Sequence, residues 1–114
     1  MLIKKSETVK IENSDSCTVF EYQFPSEHVS FATSQINGRY PDSGKVSNLE
    51  CEEMYYVLEG SGVVHSEKGD FEIKAGDVYH FSAKERYYVV GEGLKLAVIN
   101  APPWKPEQHK HYES

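Results

Sequence analysis

The sequence has no long apolar run, no excess of basic residues and few cysteines. No stretch approaches the roughly 20 apolar residues that span a bilayer, and the two lysines near the start are not followed by the apolar segment of a secretory signal. Lys and Arg total 12 against 18 Asp and Glu, which argues against nucleic acid or an anionic membrane as a partner. Two cysteines, Cys17 and Cys51, are too few for a disulfide scaffold. We therefore expect reduced thiols in a cytoplasmic protein.

The sequence also lacks the 3.6-residue apolar period of an amphipathic helix. Short β-prone segments recur instead at spacings of about 8–12 residues, with glycine-containing turns between them. The chain of 114 residues has the length of one domain. This pattern predicts an all-β sandwich or barrel.

Several connections follow from the turn residues. Asn37-Gly38 predicts a turn that opens a long polar connection to Asn48, and Lys68-Gly69 predicts the tip of a hairpin. The Gly-x-Gly at residues 60–62 predicts a tight reversal, and the one at residues 91–93 predicts a turn between two strands.

We divide the chain into three parts. Residues 1–16 form an N-terminal arm or edge strand, with a short strand at 7–11, and residues 17–100 form the barrel. Residues 101–114 form a tail whose prolines exclude a helix or a central strand, so we expect it to run extended over the barrel. We expect Trp104 in this tail to pack on the barrel wall or its open end.

The stretch from Glu52 to Gly62 is the most informative one. Its β-prone run, Tyr55 to Leu58, is apolar on both faces and predicts a strand that is buried on both sides. Glu53 shares a face with Tyr55 on the two-residue period, which places a carboxylate at the edge of a core.

Two segments resemble the signatures of the cupins, small antiparallel β-barrels of the jelly-roll type. In Glu53 to Gly60 an acid is followed by six residues and a glycine, and Gly76 to Ala83 resembles the second signature. The resemblance covers roughly residues 28–100. It implies a single cupin-like jelly-roll β-barrel and, because cupins commonly cover apolar strand edges by pairing subunits, a homodimer.

The metal site of the family is not reproduced. The window 46–49, where the resemblance implies a His-x-His pair, has no histidine, and the third histidine position falls on Tyr87. Only Glu53 remains of four ligands, so we expect no metal cofactor. If a divalent metal such as zinc binds, its candidate ligands are Cys51, Glu53, His65, His80 and His109. The chain further resembles a subset of small cupins through the Asn48 to Glu53 lead-in and the Pro102 to His109 tail.

The resemblance places Tyr87 across the barrel from Glu53, and Cys51 shares the strand face of Glu53. One interpretation is a polar pocket in which Tyr87 donates a hydrogen bond and Glu53 accepts one or moves a proton. Another is an inert pair in which Tyr87 satisfies a buried carboxylate. A nucleophilic Cys51 is disfavoured, because the neighbouring acids Glu50 and Glu52 would raise its pKa. The full set of expected ligand-binding residues is Arg39, Asn48, Cys51, Glu53, Tyr55, Tyr87 and Trp104.

Three functions are consistent with these residues. The leading hypothesis is a binding domain for a small polar molecule, plausibly a sugar or sugar derivative, by analogy with sugar-handling cupins. The second is a metal-independent or atypical-metal isomerase or lyase that uses Glu53 and Tyr87. The third is a structural or regulatory domain whose cavity is filled by Tyr55, Tyr87 and Trp104. Arg39 and Lys45, which flank the long connection, would suit a phosphate or carboxylate group on a ligand.

Overall fold

A computed structural model describes residues 1–113, and these form one nine-stranded antiparallel sheet. No α-helix occurs among them; the helical elements are two 3₁₀ turns, Lys5–Glu7 and Pro106–Gln108. Neither turn is long or apolar enough to cross a membrane. The all-β fold predicted from the sequence is confirmed. The strands are β1 (Val9–Ser14), β2 (Cys17–Tyr22), β3 (Ser30–Tyr40), β4 (Lys45–Asn48), β5 (Glu52–Ser66), β6 (Gly69–Lys74), β7 (Val78–Phe81), β8 (Tyr87–Ala101) and β9 (His109–Tyr112).

The sheet is organised around two long strands, β5 and β8. Each has 15 residues, and they pair antiparallel from Glu52 opposite Ala101 to Ser66 opposite Tyr87. On one side β8 continues to β3, β2 and β1, and β5 also pairs with β6 and β7. Strand β4 joins β8 to β9, which the tail supplies. The sheet curls so that the inner face of the long pair meets the inner faces of β2 and β3.

The two Gly-x-Gly segments do not reverse the chain, so both predicted turns are wrong. Strand β5 runs through Gly60 with two register shifts against β8, and β8 runs through Gly91 and Gly93. Gly60 has φ +77°, and a Cβ there would collide with the carbonyl oxygen of Gly93. The positive φ that glycine allows therefore serves a β-bulge within β5, at which β5 and β8 bend together.

The predicted turn at Asn37-Gly38 is likewise a bulge. Strand β3 continues to Tyr40, with a register shift between Ile36 and Gly38 opposite the glycines of β8. The predicted long connection shrinks to residues 41–44, after which β4 begins. The first strand lies at Val9–Ser14 rather than 7–11. The hairpin around Lys68-Gly69 is present, since Ser66 pairs with Gly69.

Strand β5 is buried on one face, and the prediction of burial on both is wrong. Glu53, Tyr55 and Val57 are buried, whereas the residues between them are exposed. The inward residues pack in a core around Val57, Phe81 and Leu96. The outward residues leave an apolar surface, because no further layer formed by residues 1–113 covers it. It contains Met54, Tyr56, Leu58 and, on β7, Val78, which are 36–55% exposed.

The predicted tail is fixed by a strand and a turn. The 3₁₀ turn Pro106–Gln108 leads into β9, whose residues pair with β4 from Asn48 opposite His109 to Lys45 opposite Tyr112. The prolines exclude a central strand, as expected, and β9 lies at an edge of the sheet. Ser114, the last residue of the predicted tail, lies outside the described residues.

A buried carboxylate, Glu85, holds the end of the barrel where the loop from β7 to β8 lies. Its side chain accepts hydrogen bonds from Ser66 Oγ (2.6 Å), Tyr79 OH (2.6 Å) and the Ser82 amide (2.9 Å). Lys68 Nζ lies 3.2 Å away. Burial would raise the pKa of Glu85, but these hydrogen bonds outweigh burial and lower the pKa below its usual value. In its charged form Glu85 therefore links β5, β7 and the loop from β7 to β8.

We expect Glu85→Gln to lower the free energy of unfolding at pH 7 by about 1–3 kcal/mol, because charge-assisted hydrogen bonds are lost. Since the folded-state pKa is depressed, the stabilisation is present above the unfolded pKa of about 4.3 and is lost as the pH falls through the folded value. Urea unfolding from pH 7 to pH 3 measures this. Glu72→Gln, on an exposed site of β6, is the matched control. A pH-independent difference would contradict the assignment.

The homodimer stays a prediction, and the exposed apolar surface of β5 and β7 is where we expect the second subunit. We expect Tyr56→Glu to shift the protein towards the monomer in sedimentation velocity, because it places a charge within that surface. Val9→Glu, at a similarly exposed position on β1, should leave the oligomeric state unchanged. A monomeric wild-type protein would refute the dimer, and a dimer unaffected by Tyr56→Glu would place its interface elsewhere.

Candidate functional site

A cavity of about 660 Å³ lies on the inner face of the curled sheet and is closed on one side by the tail. Its size falls in the range of small-molecule sites. We call its fully buried part the inner end; this is lined by Glu53, Tyr55, Tyr87 and Asn100. We call its half-buried aromatic part the outer end; this is lined by Tyr22, Phe24, Phe31 and Trp104. Strands β1, β2 and β3 supply most of the remaining wall.

Glu53 is the charged centre of the inner end. The alternation of β5 turns it inward, and it pairs in register with Asn100 on β8 and Phe81 on β7. Its Oε1 accepts a hydrogen bond from Asn100 Nδ2 (2.9 Å) and its Oε2 accepts one from Tyr87 OH (3.0 Å). Burial raises the pKa of Glu53, and the hydrogen bonds from Asn100 and Tyr87 oppose the shift without cancelling it. The carboxyl group is thus poised to hold a proton.

Three tyrosines surround this carboxyl group: Tyr40, Tyr55 and Tyr87 all line the cavity. Burial and the nearby Glu53 raise the pKa of each phenol, so all three are protonated at neutral pH. Phe81 packs against both Tyr55 (ring centroids 4.8 Å apart) and Tyr87 (4.1 Å). The inner end therefore offers phenolic hydrogen-bond donors rather than bases.

Asn100 is a site residue that the sequence reasoning missed. Besides Glu53, its Nδ2 contacts Cys51 Sγ at 3.4 Å. A polar residue at the end of an apolar strand could have indicated Asn100 as a site residue. The sequence did not show, however, which residue of the neighbouring strand it would face. Tyr40, Ser34 and Cys17 were also missed. Cys17 lies buried within 3.7 Å of Ser34 Oγ, in the wall that β2 and β3 contribute.

Cys51 shares the buried side of Glu53 but does not line the cavity. Its Sγ contacts Gln108 Oε1 at 3.4 Å as well as Asn100. Burial raises the pKa of this thiol, so it is protonated at neutral pH. Cys51, which was expected among the ligand-binding residues, therefore acts as a hydrogen-bonding element behind the cavity.

Arg39 and Asn48 also lie outside the cavity, contrary to their prediction as ligand contacts. The Arg39 guanidinium donates to the carbonyls of Pro41 (2.6 Å) and Gly44 (2.9 Å) and lies 4.1 Å from the Tyr88 ring. The short loop between β3 and β4 needs hydrogen-bond donors for its carbonyl groups, and Arg39 stabilises the loop by supplying them. Asn48 is buried beneath the tail and bonds to it.

The tail brings Trp104 to the outer end of the cavity. The Trp104 amide donates to Ser30 Oγ (3.0 Å) and its indole Nε1 donates to Asn48 Oδ1 (3.1 Å). The indole lies 5.6 Å from the ring of His109, which also lines the cavity. Because Tyr55, Tyr87 and Trp104 line an open space, they do not fill it, and the hypothesis of a filled cavity is wrong.

The candidate metal ligands do not converge. His65 pairs with Asp70 (2.7 Å) and His80 with the exposed Glu52 (2.7 Å), both away from the cavity. Within residues 1–113, no three His, Cys, Asp or Glu side chains come close enough to hold an ion. Glu53 and His109 are the members of the predicted set that line the cavity.

Comparisons with known proteins agree with this architecture. A model of the cupin domain matches residues 48–100. An uncharacterized protein, MJ1618 of Methanocaldococcus jannaschii, is 28% identical over 116 residues, covering 94% of this chain and 93% of its own length.

Two solved structures have the same fold. Streptomyces Pac13, described as a nucleoside dehydratase and solved with uridine, superposes with a TM-score of 0.90 at 14% identity, over 99% of this chain and 90% of its own. Ectoine synthase from P. lautus superposes with a TM-score of 0.75 at 16% identity, over 98% and 90%. Likeness at such identity shows the fold alone. The match of the cupin-domain model to residues 48–100 and the shared fold together support a place in the cupin superfamily.

Proposed function

We propose that the cavity binds a small polar molecule built on a sugar, and that nucleosides are the class it fits best. The observation that carries the proposal is the division of one cavity into a buried polar inner end and an aromatic outer end. A nucleoside has the same division, with a hydroxyl-bearing sugar at one end and a planar ring at the other.

The inner end suits sugar hydroxyls. Each hydroxyl both donates and accepts, and the inner end offers the protonated Tyr55 phenol as a donor and the Glu53 carboxyl group as an acceptor. Hydrogen bonds from Asn100 and Tyr87 hold the carboxyl group in place before a ligand arrives. A ligand hydroxyl that joins them avoids the cost of ordering the side chains.

The outer end suits a planar ring. Tyr22, Phe24, Phe31 and Trp104 line it, and aromatic side chains favour stacked or edge-on contacts with rings. The fold of Pac13, whose structure holds uridine, lends further support. A nucleoside also contains the sugar that the family resemblance led us to expect.

A second candidate is a lyase or isomerase that needs no metal, with Glu53 transferring a proton and Tyr87 polarising the substrate. A carboxyl group with a raised pKa in a cavity is the kind of group that general acid–base catalysis uses. Pac13 is described as a nucleoside dehydratase. In this hypothesis a bound compound is changed and not merely held, and Glu53→Gln abolishes the conversion. Mass spectrometry of incubated nucleosides separates the two candidates, because a dehydration appears as the loss of one water.

We expect uridine to shift the amide resonances of residues that line the cavity in a ¹H–¹⁵N NMR titration, and ribose alone to bind more weakly. Tyr87→Phe should weaken uridine binding about tenfold or more, because it removes a buried donor to the carboxyl group. Tyr88→Phe is the matched control, since Tyr88 stacks on His65 (ring centroids 4.4 Å apart) away from the cavity. If neither uridine nor other nucleosides shift these resonances, the nucleoside class is wrong.

We expect Glu53→Gln to raise the free energy of unfolding at pH 7–8 by about 1–2 kcal/mol, because a buried carboxylate is costly when charged. The folded-state pKa is raised, so the stabilisation by this group is fully present below the unfolded value of about 4.3 and is lost as the pH rises through the folded value. The gain in the variant should therefore vanish in acid. Urea unfolding across pH 4–8 measures it, with the exposed Glu52→Gln as control. A variant that is less stable than the wild-type protein at pH 8 would contradict the raised pKa.

A further inference from the structure

One oxygen atom, Asn48 Oδ1, faces nitrogen atoms of three tail side chains, those of Trp104, Gln108 and His109. Trp104 Nε1 lies 3.1 Å and Gln108 Nε2 lies 3.0 Å from it. An indole nitrogen can only donate, so the Asn48 atom that faces it is the carbonyl oxygen and not the amide nitrogen. Gln108 is oriented in the same sense, because its Oε1 faces the backbone amides of Glu50 and Cys51. The orientation of both amides is thereby fixed by donors that cannot be reversed.

This orientation also favours one tautomer of His109. His109 lies opposite Asn48 in the pairing of β9 with β4, and its Nδ1 is 3.5 Å from Asn48 Oδ1. A carbonyl oxygen cannot donate, so the contact is favourable only when Nδ1 carries the hydrogen. In a neutral imidazole the other nitrogen, Nε2, then holds a free lone pair.

His109 is the histidine that the fold brings to the cavity. Its ring is half-buried, lines the cavity wall and lies beside Trp104. Three other histidines are paired with carboxylates away from the cavity, namely His65 with Asp70, His80 with Glu52 and His111 with Glu113. Burial, and then the nearby His111, lowers the pKa of His109 below 6.5. From the other elements packed against it, the neutral Asn48 and Trp104 face the ring.

We propose that His109 is a ligand-binding residue that accepts a hydrogen bond through Nε2 from a hydroxyl or N–H group of the molecule in the cavity. The inference rests on the proposed function, because it adds a residue to the same site. The protonated Tyr55 phenol gives the inner end a donor, and His109 gives the wall formed by the tail an acceptor. A molecule that spans the two must then present an acceptor at one end and a donor at the other, which a nucleoside does.

The test compares two substitutions of His109 with uridine as the probe. In His109→Asn the side-chain amide can replace Nδ1–H towards Asn48 but leaves the position of Nε2 empty. In His109→Gln the amide oxygen can reach the position of Nε2. We expect His109→Asn to unfold at the wild-type temperature and bind uridine about tenfold or more weakly, and His109→Gln to retain most of the affinity. Wild-type affinity in His109→Asn would overturn the proposal, because a merely structural role would be met by that variant.

The pH dependence gives a second readout. We expect the affinity of the wild-type protein for uridine to fall as the pH drops through the lowered pKa of His109, because protonated Nε2 donates and no longer accepts. This fall should be absent from His109→Asn. The same fall in both proteins would assign it to another group and overturn the proposal.

The tautomer can be measured without any ligand, which separates this proposal from the nucleoside class. Long-range ¹H–¹⁵N NMR, with His109→Gln to assign the resonances, should show Nδ1 protonated and Nε2 free at pH 7. Diethyl pyrocarbonate, whose carbonyl carbon is attacked by an unprotonated imidazole nitrogen and which thereby carbethoxylates it, should then modify His109. A protonated Nε2, or a His109 that stays unmodified while the exposed His28 reacts, overturns the proposal whether or not uridine binds. If uridine fails to bind but both results hold, the nucleoside class falls and the His109 acceptor stands.

Discussion

The site depends on one requirement: a carboxyl group buried within a barrel needs hydrogen-bond partners. Glu53 finds them in Asn100 and Tyr87, and the chain of bonds does not stop there. Asn100 contacts Cys51, Cys51 contacts Gln108, and Gln108 bonds to Asn48. Within the described residues no buried side-chain nitrogen or oxygen lacks a partner. The tail and the inner end of the cavity therefore belong to one polar network, in which the loss of one member leaves its neighbours unsatisfied.

This network explains why the tail is ordered despite its composition. Prolines remove amide donors and prevent regular pairing, so a segment of this kind has few backbone bonds of its own. Side chains fix the proline-containing part that precedes β9, since Trp104 and Gln108 both bond to Asn48, and the backbone pairing of β9 with β4 fixes the rest. The tail closes one side of the cavity for the same reason, because Asn48 lies directly behind that wall.

The sequence predicted the all-β fold and the inward orientation of Glu53, because alternation and turn residues are local signals. It also paired Glu53 with Tyr87, although that pairing came from family resemblance and not from the residues themselves. It could not predict Asn100 as the second partner, since that contact depends on the register of β5 with β8. Glycine misled the interpretation three times, at residues 38, 60–62 and 91–93, because a positive φ serves a bulge as well as a reversal. We predicted Arg39 as a ligand contact because the sequence does not show which backbone carbonyl groups a charged loop residue will bond to.

The shared bulges in β3, β5 and β8 divide the long strands into two arms. The cavity uses the arm of β5 from Glu53 to Val57, whereas the arm from Ser61 to Ser66 pairs with β6 and carries the hairpin at Lys68-Gly69. Glu85 anchors that second arm by contacts that involve none of the groups at the inner end. The second arm still contributes to the cavity, because Tyr87 of β8 lies opposite Ser66 and Tyr40 of β3 lies opposite Val89. The bulges therefore bend three paired strands at one level, so that a single core contains residues from both arms and the cavity takes its wall from each.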